Sequence, residues 1–256
     1  ARAMRPPPGE PWVCAECGAL SVQEMPGVTP DDQRRWLDAL DALFWDGDGA
    51  AGATAARAMR ARLARNAGTT GALDTDRCIL GLWHRVRGEP GRGEIPSAPG
   101  KAGSVDLRAA LPFCVMLLEA MDAVAGKRSD AGAALARADS AWLHFPRVAF
   151  VRNANEGACE LTAAGNMVLA RLYETRGDLA GALARIRRRP LAYDAGVWYL
   201  STGLREEGRL AALAGDRAEA VRAYRHYLAL RSNPEPELQP GVERVRAELE
   251  RLESVT

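Results

Sequence analysis

Three observations in the sequence predict an all-α fold built from successive helical hairpins. The chain is rich in Ala, Arg, Leu and Glu, which are good helix formers. Apolar residues recur at the spacing of a helix face along most of its length. Short turns of the Gly-Asp type interrupt these apolar stretches at roughly regular intervals. At 256 residues the chain is long enough to bury a substantial core.

The stretch Gly208–Leu228 shows one hairpin most clearly. Gly215 can adopt the left-handed conformation that ends a helix, and Asp216 can cap the helix that follows. Apolar residues fall on one face before and after this turn, which predicts two antiparallel helices that face each other. These residues are Leu210, Leu213 and Ala214 before the turn, and Ala220, Val221, Tyr224 and Leu228 after it.

The same kind of turn follows apolar helices elsewhere, and this recurrence predicts a repeat. The turns are Gly47-Asp48, Gly88-Glu89, Ser129-Asp130, Gly177-Asp178 and Gly215-Asp216. The last two copies agree best along their length. In these copies Leu169, Ala170, Tyr173, Gly177, Asp178, Ala182 and Ile186 correspond to Glu207, Gly208, Ala211, Gly215, Asp216, Ala220 and Tyr224.

The pattern resembles the tetratricopeptide repeat, in which small residues let two helices approach closely. The final copy matches at Gly208, Ala220, Tyr224 and Pro234, the fourth at Leu169, Tyr173, Ala182 and Ile186, the second at Leu80 and Gly81, and the first at Trp36. The resemblance covers roughly residues 32–232. It implies a right-handed solenoid of helical hairpins that recognises a protein or peptide on its concave face.

Three segments are therefore expected. Residues 1–30 form an extended Pro-rich arm, because the prolines between Pro6 and Pro11 exclude a helix. Residues 31–239 form the repeat solenoid, with a loop over 89–103 where Pro and Gly replace a second helix. Residues 240–256 form a C-terminal capping helix whose charged face covers the end of the array.

The cysteines give the sharpest local motif. Cys14 and Cys17 are separated by two residues, and a disulfide, a structural zinc site and free thiols remain as alternatives. A zinc site needs two more ligands, which the scattered histidines do not supply. Cys78, Cys114 and Cys159 occur singly on apolar helix faces, where we expect free thiols that pack as small hydrophobes.

Asp46 and Asp48 resemble the opening of a calcium-binding loop. The residues from Ala50 to Met59 contain no acidic group that could close such a loop. The repeat accounts for Gly47-Asp48 as a turn and helix cap, with calcium as the alternative. No cofactor is required by the sequence.

A group of polar residues lies just before and within the fourth copy. Amide groups beside an arginine can both donate to and accept from a peptide backbone or carboxylate, which suggests a concave-face binding site. The alternative is that the asparagines before the helix are turn residues. The candidates are Arg152, Asn153, Asn155, Glu156, Glu160 and Asn166.

The formal net charge of +1 gives no global field for binding nucleic acid, and no apolar run is long enough to span a membrane. We interpret the run Arg187-Arg188-Arg189 as a solvated helix face or end. No phosphate loop, metalloprotease motif or nucleophile elbow is found, which predicts a non-catalytic chain. If Ala1 was created by processing, an extracytoplasmic or secreted location is favoured.

The predicted function is protein binding or assembly of the tetratricopeptide type, including end-to-end association between copies of the chain. One alternative is a subunit of an extracellular or surface filament held by the N-terminal arm. Another is the sensor or scaffold tail of a bacterial kinase or regulator, which would bind a peptide or small ligand on the concave face.

Overall fold

The computed structural model describes residues 57, 60–61, 72–88, 105–149, 156–188, 200–234, 236 and 238–254. Within these ranges the chain forms eight helices and no strand, which confirms the all-α class for this part. The predicted arm 1–30, the loop 89–103 and the turn Gly47-Asp48 lie outside the described residues. The helices are α1 (Ala72–Val86), α2 (Val105–Ala125), α3 (Ala131–Ala149), α4 (Glu156–Thr175), α5 (Leu179–Ile186), α6 (Leu200–Leu213), α7 (Arg217–Leu230) and α8 (Gln239–Ser254).

Neighbouring helices pair as hairpins. Helix α2 packs on α3, α4 on α5, and α6 on α7. Each pair also contacts the next, through α2 and α3 against α4, and through α5 against α6. Helix α8 packs on α7, while α1 lies against both α2 and α4.

The turns of the last two hairpins have the predicted construction. Gly177 and Gly215 adopt left-handed backbone angles, with φ of 81° and 79°. Asp178 then accepts a hydrogen bond from the Gly181 amide at 2.7 Å, and Asp216 accepts one from the Glu219 amide at 3.2 Å. The glycine ends the first helix and the aspartate caps the second.

The turn of the α2/α3 hairpin is built differently. Its left-handed residue is Lys127, with φ of 50°, which lies two residues before the predicted Ser129, and α2 ends at Ala125. The carboxylate of Asp130 bonds to the guanidinium of Arg128 at 2.6 and 2.9 Å. A longer turn, whose left-handed residue is a lysine and not a glycine, therefore closes this hairpin.

Bare glycines allow close helix approaches at two places. A Cβ on Gly208 would overlap the ring of Tyr224 across the α6/α7 hairpin. A Cβ on Gly165 would lie 2.6 Å from the Phe113 ring, between α4 and α2. These contacts give a physical role to the small residues that the repeat pattern places in the first helix of a hairpin.

The prediction that Cys78 and Cys114 are single, free thiols was wrong. They form a disulfide between α1 and α2, with 5.9 Å between their Cα atoms and 36 residues between them in sequence. Both are buried, as predicted for small apolar residues. The two apolar faces meet because α1 and α2 run parallel, as the contact of Gly81 with Leu118 one turn further along also shows.

The main core extends from α1 to α7 and is continuous across the hairpins. A second cluster joins α6, α7 and α8 through Leu204, Tyr224, Tyr227, Val242 and Val245. Helix α2 runs through Pro112 without interruption, starting at Val105. Among the described helices, none is both long and apolar enough to cross a membrane.

Candidate functional site

The structure locates only part of the predicted binding site. Arg152, Asn153 and Asn155 lie outside the described residues. Glu156 and Glu160 begin α4, and of these two the structure describes the backbone alone. The predicted ligands Cys14, Cys17, Asp46 and Asp48 also fall outside the described ranges. In those ranges no group of acidic, His or Cys residues is arranged to hold a metal ion.

Asn166 is the one predicted site residue whose side chain is described, and it is buried in α4 with 5% of its surface exposed. Its amide nitrogen donates to the backbone carbonyl of Arg188 at 3.2 Å. Its buried Oδ1 has no hydrogen-bond partner among the described residues. An unsatisfied buried acceptor costs about 1–3 kcal/mol, so this side chain is held in place at some expense of stability.

The bond from Asn166 leads to a polar cluster where α3, α4 and α5 meet. At its centre is Asp139 of α3, whose side chain is 10% exposed. Arg185 bonds to it at 2.6 and 3.4 Å, and Arg188 also at 2.6 and 3.4 Å. The hydroxyl of Tyr173 donates to the same carboxylate at 3.3 Å. One carboxylate therefore receives two guanidinium groups and a phenol.

Aromatic rings hold both arginines of this cluster. The guanidinium carbon of Arg185 lies 3.9 Å from the centre of the Tyr173 ring, and that of Arg188 lies 5.2 Å from the centre of the Trp142 ring. Arginine stacks favourably on aromatic faces, and the charge also gains cation–π attraction. The orientation of both guanidinium groups is thus fixed by stacking as well as by Asp139.

Burial and the charges of the cluster shift the pKa values of Asp139 and Tyr173 in opposite directions. Burial opposes ionisation of Asp139, but hydrogen bonds and charge from Arg185 and Arg188 outweigh it and hold the pKa of this carboxyl below its usual value. Burial, together with the charge of Asp139, raises the pKa of Tyr173. Asp139 consequently stays ionised and is a weak base, and Tyr173 stays protonated.

In its ion pairs the cluster has two guanidinium groups for one carboxylate, and the charge of Asp178 also acts on Arg185. Within the described residues, Asp139 is the only carboxylate that forms an ion pair with Arg185 or Arg188. Arg187, between them in sequence, is paired elsewhere, with Glu207 and Glu219 on α6 and α7. The arrangement is therefore suited to attract an anion.

A second set of ion pairs joins α4 to α6. Arg209 binds Glu174 through both arms at 2.6 and 2.7 Å and also contacts Glu206 at 3.0 Å. The hydrogen bond from Arg209 lowers the pKa of Glu174, and its partners raise the pKa of Arg209. Arg171 lies 3.8 Å from Glu206, so this set has two arginines for two glutamates, and its role is to fasten neighbouring hairpins together.

Sequence reasoning missed the cluster around Asp139. Its members are separated by up to 49 residues, and only the fold brings them together. The run Arg187-Arg188-Arg189 marked one edge of it, but we had interpreted these arginines as solvated. Arg188 is instead half-buried, paired and stacked.

The cluster and the fold are not linked to a function by similarity. No family model, no curated protein and no solved structure matches this sequence.

Proposed function

We propose that this chain is a non-catalytic protein-binding or assembly module of the tetratricopeptide type. The observation that carries the proposal is the recurrence of one structural unit in the hairpins α4/α5 and α6/α7. In both, a left-handed glycine is followed by a capping aspartate, and a fully buried alanine follows four residues later. These are the residue pairs Gly177 and Gly215, Asp178 and Asp216, and Ala182 and Ala220.

The packing between hairpins supports the same proposal. Successive hairpins contact each other, with α2 against α4 at Gly165 and α5 against α6, while the Arg209–Glu174 ion pair links α4 to α6. The resemblance to the tetratricopeptide repeat implies recognition of a protein or peptide on a concave face. We expect a peptide or a second protein to bind along α2, α4 and α6.

The polar groups of the described site also favour binding over catalysis. Asp139 is held ionised by two arginines and Tyr173 is held protonated, so neither is poised to exchange a proton near neutral pH. Their arrangement positions charge. This is the chemistry of recognition.

A selection of displayed random peptides against the folded chain tests the proposal. We expect one enriched sequence family that binds with one-to-one stoichiometry and protects backbone amides of α2, α4 or α6 from hydrogen exchange. Arg246→Glu, on the exposed side of α8, serves as the control and should leave binding unchanged. Failure to enrich any peptide, or protection limited to α8, would contradict recognition through the hairpin array.

Sedimentation velocity separates recognition of a partner from self-assembly. Association between unlike ends of the chain predicts a sedimentation coefficient that keeps rising with concentration, because such contacts do not close. A single species at all concentrations would contradict self-assembly and would leave recognition of another protein as the proposed function.

A further inference from the structure

The hydrogen bonds of the two arginines on Asp139 differ in one respect. All three nitrogens of Arg185 are engaged, with Asp139, the Tyr173 hydroxyl and the Gly181 carbonyl. Arg188 reaches Asp139 with Nη1 and Nη2, and its Nε bonds to no described residue. A guanidinium has five N–H donors, so Arg188 retains unused ones.

The unused donors lie along one edge of Arg188. Because the two Nη atoms face Asp139, the edge formed by Nε and the adjacent N–H of Nη2 is open as far as the described residues are concerned. This edge has two parallel N–H groups, the fork that binds carboxylate or phosphate with two hydrogen bonds. The side chain of Arg188 is 21% exposed, so part of it is in contact with solvent.

The position of Arg188 is fixed from three directions before any ligand arrives. Asp139 holds the guanidinium from one side, and the ring of Trp142 covers one face. The amide of Asn166 holds the backbone carbonyl of the same residue. Less conformational entropy is lost on binding when a donor group is already ordered.

The charge of the cluster also favours the binding of an anion. Two guanidinium groups share one carboxylate, so Asp139 neutralises only one of them. An anion bound at the open edge would complete the neutralisation in a half-buried, aromatic environment where charges interact more strongly than in water. Asn166 holds the Arg188 carbonyl although its own Oδ1 has no partner in the described part of the chain.

We propose that Arg188, oriented by Asp139, Trp142 and Asn166, is the binding residue of an oxyanion site that takes a carboxylate or phosphate group. In a partner protein this group would be an acidic or phosphorylated side chain, and that extension rests on the proposed function. The binding of a small oxyanion does not rest on it.

Nitrogen-15 NMR of the arginine side chains tests the site directly. The full chain is titrated with inorganic phosphate or with acetate, and chloride keeps the ionic strength constant. We expect a saturable shift of the Arg188 Nε–H resonance, assigned through its bonds to the backbone so that no variant is needed. Comparison of the two titrations shows whether phosphate or carboxylate is preferred.

Arg188→Lys retains the charge but lacks the fork. We expect it to weaken oxyanion binding about tenfold, measured by the anion-dependent rise in melting temperature, because a pair of charge-assisted hydrogen bonds is lost. Arg225→Lys is the matched control, since Arg225 is exposed and bonds to Glu253 on the surface. This control should bind as tightly as the wild type.

Two results would overturn the proposal. One is the absence of a saturable Arg188 shift with both anions, and the other is an Arg188→Lys variant that binds as tightly as the wild type. If the anions bind but no peptide is selected, the site stands and the proposed function fails. If peptides bind and the Arg188 resonance does not respond, the reverse holds.

Discussion

Helices α1 and α5 are each attached to a neighbouring helix by an arginine–aspartate pair, but the two attachments are built differently. Helix α1 is fastened to α2 by the Cys78–Cys114 disulfide and by Arg85, which binds Asp122 through both arms at 2.8 and 2.9 Å. Helix α5 is fastened to α3 by Arg185, which binds Asp139. In both cases the arginine also bonds to the carbonyl of the glycine four residues earlier.

The difference is in the number of charges. Asp122 has a single arginine and is 41% exposed, whereas Asp139 has two arginines and is 10% exposed. We call the Arg85–Asp122 pair and the Cys78–Cys114 disulfide the α1 clamp. Its ion pair has one positive and one negative charge, and a covalent bond reinforces it. In the α5 clamp, formed by Arg185, Arg188 and Asp139, two arginines share one carboxylate, and this carboxylate is more deeply buried than Asp122. We therefore expect its loss to be costlier, and the second guanidinium charge is available for a ligand.

The largest effect is expected from Asp139→Asn. This change leaves two half-buried arginines without a carboxylate, and breaking a buried ion pair typically costs about 3–5 kcal/mol. Asp122→Asn is the matched comparison, and we expect a smaller loss, of about 1–3 kcal/mol, because the Asp122 carboxylate is 41% exposed although Arg85 is buried. Urea unfolding of both variants measures the losses. Equal losses would show that the two clamps are equivalent.

The next effect concerns the covalent part of the α1 clamp. Replacing both Cys78 and Cys114 with Ala should lower the free energy of unfolding by about 2–4 kcal/mol, mainly because the unfolded chain gains conformational freedom. In this background Asp122→Asn should cost more than in the wild type, since Arg85 is then the main link to α2. Additive losses would instead mean that the disulfide and the ion pair act independently.

These two predictions also mark what the sequence could and could not reveal. The turns at Gly177 and Gly215 were predictable because local backbone conformation and capping depend on adjacent residues. The Cys78–Cys114 bond and the cluster around Asp139 were not, because they require helices distant in sequence to present matching faces. A thiol or an aspartate on a helix does not indicate which residue it will meet.

Lowering the pH should gradually reduce the stability that the Asp139 cluster contributes to the fold. The folded-state pKa of Asp139 lies below the ordinary value of 3.8, so its stabilisation is complete above that value and is lost as the pH falls through the folded pKa. The stability gap between the wild type and Asp139→Asn should therefore narrow only at strongly acidic pH, by at most about 1.4 kcal/mol per pH unit. Urea unfolding at a series of pH values measures the gap. A gap that narrows near neutral pH would assign the effect to another group.

The smallest effect is expected from substitutions in the turns that follow α2 and α4. Lys127 ends α2 in the left-handed conformation that Gly177 adopts at the end of α4, with φ of 50° and 81°. A side chain is strained there, and glycine is not, although glycine also makes the unfolded chain more flexible. Lys127→Gly should accordingly raise the free energy of unfolding by about 0.5 kcal/mol, and Gly177→Ala should lower it by about 1 kcal/mol.

Thermal unfolding of Lys127→Gly and Gly177→Ala, each compared with the wild type, measures these opposite shifts. Nothing lies within 4 Å of a Cβ built on Gly177, so the loss in Gly177→Ala would come from the backbone and not from a clash. If Lys127→Gly were destabilising, the lysine side chain would contribute a contact that outweighs its backbone strain. The longer turn of the α2/α3 hairpin would then be a stabilising feature in its own right, and not a weaker version of the glycine turn.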